Sequence, residues 1–264
     1  MTSTILPVKI NKGIGQPIVL LHGLGNNYKS WTYVLEAIDY SALHILAIDL
    51  LGFGDAPKPS NTHYSPDDHA EAVINTLDSL NISNAIIAGH SMGCIVAIAV
   101  AKKRPDLAGR LVLLGAPLYE RIPRGDFWSK LLKREGAYFT LFSFIAKNPD
   151  ATITTMKAAD TLIPLLKGME VTDETWPAYK ASLQQTIMQI QSYRDLINLK
   201  TPTLLVYGKL DIFIIKQTLR RAVRKNRRLV RLETTLGPHE ITPLEGKKIA
   251  KTLQKESDLL NSPL

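Results

Sequence analysis

Apolar and polar positions along the chain fall into two alternating kinds of segment. Short continuous apolar runs occupy 17–22 (PIVLLH), 43–50 (LHILAIDL), 85–88 (AIIA), 111–114 (LVLL) and 203–207 (TLLVY), each with a glycine at or just beyond its end. Runs of this length without alternation suit strands buried on both faces, which means a parallel sheet. Between them lie helical patterns. Ser65-Pro66-Asp67-Asp68 reads as a helix start, with Ser as N-cap, Pro at the first helical position and acids in the first turn. Ala72, Val73, Thr76, Leu77 and Leu80 then recur at helical spacing. A second helix is expected from Met92 to Lys103, ending before Arg104-Pro105. Late in the chain the pattern predicts a helix over 215–225, a strand over 228–233 and a terminal helix from about 244.

Alternating strands and helices of this kind predict a doubly wound α/β core, with a mostly parallel sheet of about seven or eight strands. The alternation stops between Pro117 and Pro202. That stretch reads as helical, with amphipathic segments near 126–146, 151–166 and 174–197. The expected organisation is a core of residues 1–117 and 201–264, with an all-helical cap, 118–200, inserted over the sheet edge where such folds place ligands.

Composition narrows the class. The chain has 264 residues, 45% hydrophobic and 21% charged, which is ordinary for a globular enzyme and excludes a disordered or fibrous chain. No apolar run is long enough to span a bilayer. The N-terminus lacks a basic segment followed by an apolar one, so no signal peptide is expected. Cys94 is the one cysteine, which rules out an internal disulfide and makes the cytoplasm the expected compartment. Net charge is +8, and its source is local. Eight of the 32 bases lie between Lys216 and Arg231 with no acid up to Arg231, and the remaining 24 equal the acids in number. Such a run is commonly a solvated helix face. Its functional reading is a surface for an acidic partner. Nucleic acid is not expected, because no aromatic interleaves the bases.

The chemistry centres on Gly89-His90-Ser91-Met92-Gly93, which follows an expected strand and opens an expected helix. A serine at such a tight turn needs neighbours without bulk, and glycines at 89 and 93 meet that need. The turn presents the hydroxyl at a helix N-terminus, where free amides favour developing negative charge. A serine nucleophile needs a base, and the base needs an orienting carboxylate. Asp211, just off the 203–207 strand, is the candidate acid, and His239, in the loop after the last strand, is the candidate base. The oxyanion donors are expected to be the backbone N–H groups of Met92 and Leu24, with Gly23 and Gly25 letting the second loop approach. His22 is read as structural and Cys94 as a packed small hydrophobe. Most of Phe127, Trp128, Phe139, Phe142 and Phe144 are expected to pack the cap itself.

Five motifs, in this order, resemble the α/β-hydrolase superfamily: HGLGNN (22–27), DLLGFGDAPKP (49–59), GHSMG (89–93), GKLD (208–211) and GPHE (237–240). The resemblance covers nearly the whole chain and implies the fold above, a cap at 117–201 and a Ser91–Asp211–His239 triad. Departures are visible. Members commonly open with a two-stranded hairpin, whereas only about sixteen residues precede the first apolar run here, so one strand is expected to be lost or very short. Asp55-Ala56 stands where Asp-Ser or His-Ser is frequent, and Pro238 separates Gly237 from His239. The expectation is a serine hydrolase acting on a small carboxylic ester with an apolar portion, without metal or organic cofactor. Thioester, lactone, amide or carbon–carbon hydrolysis and perhydrolysis remain open, as does a weakly catalytic ligand- or acyl-carrier-binding protein.

Overall fold

The computed structural model describes residues 4–121, 134–162 and 171–262. Seven strands form one sheet: β1 (Val8–Lys12), β2 (Gln16–Leu21), β3 (Leu43–Ile48), β4 (Ala85–His90), β5 (Ala108–Leu114), β6 (Thr203–Gly208) and β7 (Val230–Thr235). Their order is β1-β3-β2-β4-β5-β6-β7. β1 runs antiparallel to β3 and every other pairing is parallel. A single strand therefore stands where the family's opening hairpin would be. The last strand lies two residues later than the apolar pattern placed it. It is an edge strand, alternating between packed and solvated positions, so its apolar content underreports its extent.

The helices are α1 (Thr32–Leu35), α2 (Pro66–Ser79), α3 (Met92–Lys103), α4 (Arg134–Lys147), α5 (Pro149–Leu162), α6 (Trp176–Ser182), α7 (Gln191–Asn198), α8 (Lys216–Lys225) and α9 (Pro243–Asn261) among the described residues. α2 starts as its sequence dictates. Ser65 Oγ accepts from the Asp68 N–H at 3.2 Å, and the Asp68 carboxylate accepts from the Ser65 N–H at 2.9 Å. α3 is buried on every side from Met92 to Ala101, as expected of a helix at the centre of a layered domain. Apolar clusters lie on both faces of the sheet. α2 and α3 contribute to one, α1 and α9 to the other.

Between β5 and β6 the described residues contain helices and no strand. The front of the expected 126–146 helix lies outside the described residues, as do Phe127 and Trp128. The expected 174–197 segment is not continuous. α6 runs into a π-helical turn, Leu183–Ile187, and α7 starts only at Gln191. The wider turn is closed by the Met188 N–H donating to the Leu183 carbonyl at 3.0 Å.

Candidate active site

Ser91 stands between β4 and α3 with φ 52° and ψ −117°, a conformation that few side-chain-bearing residues adopt. The turn is this tight because its flanking residues lack side chains. A Cβ on Gly89 would lie 2.4 Å from the Gly93 carbonyl group, and one on Gly93 would lie 2.3 Å from the Leu21 carbonyl oxygen. Only hydrogen fits at either place. The turn is pinned by the Ser91 N–H donating to the Leu114 carbonyl at 2.9 Å. Cys94, one turn into α3, is fully buried and its thiol donates to the carbonyls of Gly89 and Leu114. Burial pushes that thiol's pKa well up, so it packs rather than reacts.

The candidate acid and base meet. Asp211 follows β6, has 1% of its side chain exposed, and divides its carboxylate between two donors. Oδ1 accepts from the Phe213 N–H at 2.8 Å, and Oδ2 pairs with His239 Nδ1 at 2.8 Å. A carboxylate accepts, so Nδ1 carries the proton and Nε2 keeps its lone pair for a neutral imidazole. His90 holds the histidine loop to the serine turn. Its Nε2–H donates to the His239 carbonyl at 2.9 Å, and the two rings stand 5.0 Å apart. Burial pulls the His90 pKa below its ordinary value, which keeps it neutral. No hydrogen bond joins Ser91 Oγ to His239 Nε2 among the described residues. Such contacts are often open without substrate.

The 22–27 loop lies against this turn. A Cβ on Gly23 would come within 3.2 Å of Ser91 Cβ. His22 fixes the loop with both ring nitrogens: Nε2 accepts from the Leu50 N–H at 2.8 Å, and Nδ1–H donates to the Gly23 carbonyl at 2.8 Å. It is fully buried, and desolvation pushes its pKa down to about 4. Asp49 anchors the same region by accepting the N–H groups of Tyr28 and Asp55. The N–H groups of Leu24 and Met92 have no backbone acceptor among the described residues. α6 covers the loop. Gly25 has φ +68°, and a Cβ there would strike the Tyr179 ring at 2.8 Å.

Two contributors escaped the sequence reading. Phe213 sets its ring 5.3 Å from that of His239, tilted by 57°. Gly115 ends β5 under the acid–base pair, where a Cβ would lie 3.1 Å from His239 Nδ1 and 3.2 Å from Asp211 Oδ2. The glycine after 111–114 was visible as a strand terminator. Its place under the pair follows only from β5 lying between β4 and β6. Among the described residues no group of three or more His, Cys, Asp or Glu is placed to hold a metal ion.

A mostly parallel sheet with a serine at the first strand–helix turn of its centre, and an acid–histidine pair at later strand ends, defines a class of hydrolase-like α/β folds. The chain belongs to the alpha/beta hydrolase fold family, whose model matches residues 16–236. It is 34% identical over 134 residues to the probable lysophospholipase BODYGUARD 2 of Arabidopsis thaliana, a stretch covering 49% of this chain and 28% of that one. It is 32% identical over 109 residues to the 2-hydroxymuconate semialdehyde hydrolase of Pseudomonas sp. (strain CF600), covering 40% of this chain and 38% of the other. The chain thus spans well under half the length of these curated relatives. Among solved structures, an esterase from Exiguobacterium antarcticum shares the fold with a TM-score of 0.76 at 18% identity, covering 97% of this chain and 100% of that one.

Proposed function

We propose that the protein is a serine hydrolase that cleaves a small-molecule carboxylic ester with an apolar portion. The observation that carries this reading is the Asp211–His239 pair at 2.8 Å, held to the Ser91 turn through His90. His239 Nε2 takes the Ser91 proton as Oγ attacks the ester carbonyl carbon. The carbonyl oxygen becomes an oxyanion held by the N–H groups of Leu24 and Met92. Collapse breaks the ester C–O bond, and His239 returns its proton to the leaving alcohol oxygen. Water then gives a proton to His239 as it attacks the acyl carbon; the bond from that carbon to Oγ breaks, His239 returns the proton to Oγ, and the acid leaves with Ser91 restored. Asp211 keeps the imidazole in the required tautomer. The Ser91–His239 contact must close when substrate binds.

In this reading residues 118–200 form a cap over the core of 1–117 and 201–264, and the lone buried Cys94 suits a reducing cytoplasm. No cofactor takes part. The similar proteins named above carry names for different chemistries, so leaving group and acyl length must be read from a substrate screen. The deciding experiment is Ser91→Ala on short p-nitrophenyl esters, with a fluorophosphonate probe in parallel. Turnover is expected to fall at least about a thousandfold and labelling to disappear. Unchanged turnover would refute the assignment of Ser91.

A further inference from the structure

The sheet's C-terminal edge carries a surface that ester cleavage does not require. Leu210, Ile212 and Leu236 are 69%, 65% and 63% exposed, and Phe213 and Leu244 join them. Five of the twelve exposed large hydrophobics among the described residues thus fall in the acid loop, the histidine loop and the first turn of α9. Leu210 and Leu236 sit on adjoining backbones, because the Leu210 N–H donates to the Gly237 carbonyl at 3.2 Å. Single exposed leucines need no explanation; a cluster around a site mouth does.

Positive charge stands directly behind this tip. α8 begins at Lys216, whose ammonium bonds back to the Lys209 carbonyl, and Arg220 reaches the Tyr207 hydroxyl at 3.2 Å. A helix start favours acids, yet α8 has none in its first turn and no side-chain cap. Lys216 therefore sits where its charge weakens the helix. The basic run of 216–231 also divides. Arg231 pairs with Glu256 at 2.6 Å, and Arg221 and Lys225 pair with Glu120. Lys209, Lys216 and Arg220 have no ion-pair partner among the described residues, nor do Arg224, Arg227 and Arg228 further along; the first three are set apart by lying at the acid loop and the start of α8. Lys216 and Arg220 are about 6 Å apart along the helix. That is shorter than a Debye length of about 8–10 Å, so they act on one surface together.

We propose that this edge docks on an anionic phospholipid surface. Leu210, Ile212 and Leu236 would enter the headgroup–acyl boundary, and Lys209, Lys216 and Arg220 would lie among the headgroup phosphates. A lipid surface accepts aliphatic tips and bases side by side. Nucleic acid satisfies the bases but leaves the leucines in water, and an acidic protein would need an apolar patch matched to the leucines beside its acids. Docking in this pose turns the His239 loop toward the lipid. The inference stands apart from the ester-hydrolase reading, since binding needs no turnover.

The test is co-sedimentation with vesicles of phosphatidylcholine alone and with about a third phosphatidylglycerol. The protein is expected to partition onto the anionic vesicles, less so at high salt. Lys216→Glu/Arg220→Glu should weaken partitioning by about fivefold per base, and Leu210→Ser/Ile212→Ser/Leu236→Ser by at least about tenfold. Single Leu236→Ser and Lys216→Gln variants, checked by thermal unfolding, give the same directions if a multiple variant fails to fold. Ser91→Ala should bind as the parent does, which separates this result from the fate of the catalytic reading. Partitioning no greater on anionic than on neutral vesicles overturns the proposal. So does a loss confined to the charge variants, which would indicate an acidic macromolecule. So does lipid-free self-association abolished by the leucine variants, which would make the tip a contact between copies.

Discussion

Asp211 accepts from its own loop with one oxygen and from His239 with the other, so a single side chain sets both loop shape and imidazole tautomer. Asp211→Asn keeps the size but offers an amide that can donate to Nδ1, favouring the wrong tautomer. If the proposed mechanism holds, kcat should fall about 10⁴-fold with KM little changed, read from steady-state ester hydrolysis. In the proposed mechanism His90 acts through His239, whose carbonyl it holds, and not on substrate. His90→Phe keeps a ring but removes the donor to the His239 carbonyl, leaving a part-buried acceptor unpaired at a cost of about 1–3 kcal/mol. The expected result is lower kcat with fluorophosphonate labelling slowed but retained. Labelling as fast as in the parent would deny His90 a positioning role. Gly89→Ala puts a methyl against backbone at 2.4 Å, so the serine turn itself should open and labelling should be lost.

Between elements, the join of greatest consequence is buried and polar. His69 on α2 pairs through Nε2 with Ser182 Oγ at the end of α6, at 3.0 Å. Beside it, Thr186 in the π-helical turn donates to the Tyr64 carbonyl at 2.7 Å. These bonds seat the helical insert on the core just beyond α2's N-terminus. Ser182→Ala should strip the one polar partner that His69 has among the described residues, costing about 1–3 kcal/mol and lowering Tm by several degrees. A Tm within a degree of the parent would show that the insert is held by its apolar contacts instead. The break in the expected 174–197 segment belongs here too. Its apolar spacing is helical throughout, but Ser182 and Thr186 reach two different core partners, and a widened turn brings both to them.

At the scale of the whole molecule, three histidines are buried neutral. Desolvation lowers the pKa of His22 to about 4 and of His69 to about 3, and it lowers that of His90. Unfolded histidine titrates near pH 6.5. Below that value the unfolded chain binds more protons than the folded one, so their contribution is complete above about pH 6.5 and declines as pH falls toward 4 and 3. His22 and His69 each cost about 1.4 kcal/mol per pH unit between about pH 6.5 and their lowered values, and His90 acts in the same direction. Urea midpoints should therefore drop steeply between pH 7 and pH 5, and His69→Gln should flatten the slope. An unchanged midpoint at pH 5 would mean that the sites are hydrated.

The chain's own periodicity determined the α/β layering, and its punctuation determined where the chemistry could sit. The strand-end positions of Ser91 and Asp211, which the proposed mechanism uses, were legible because apolar runs closing on glycine mark those strand ends locally; that of His239 rested on the weaker pattern of the edge strand β7. Ser65 likewise announced α2, since a capping box is complete within four residues. Only the tertiary structure decided what crosses between elements. Gly115 lies under the acid–base pair because β5 separates β4 from β6. His90 reaches a carbonyl 149 residues away, and His69 a hydroxyl 113 residues away. Register along a strand is written in local spacing, whereas strand order and helix seating minimise the free energy of the whole core. No window of sequence holds that information.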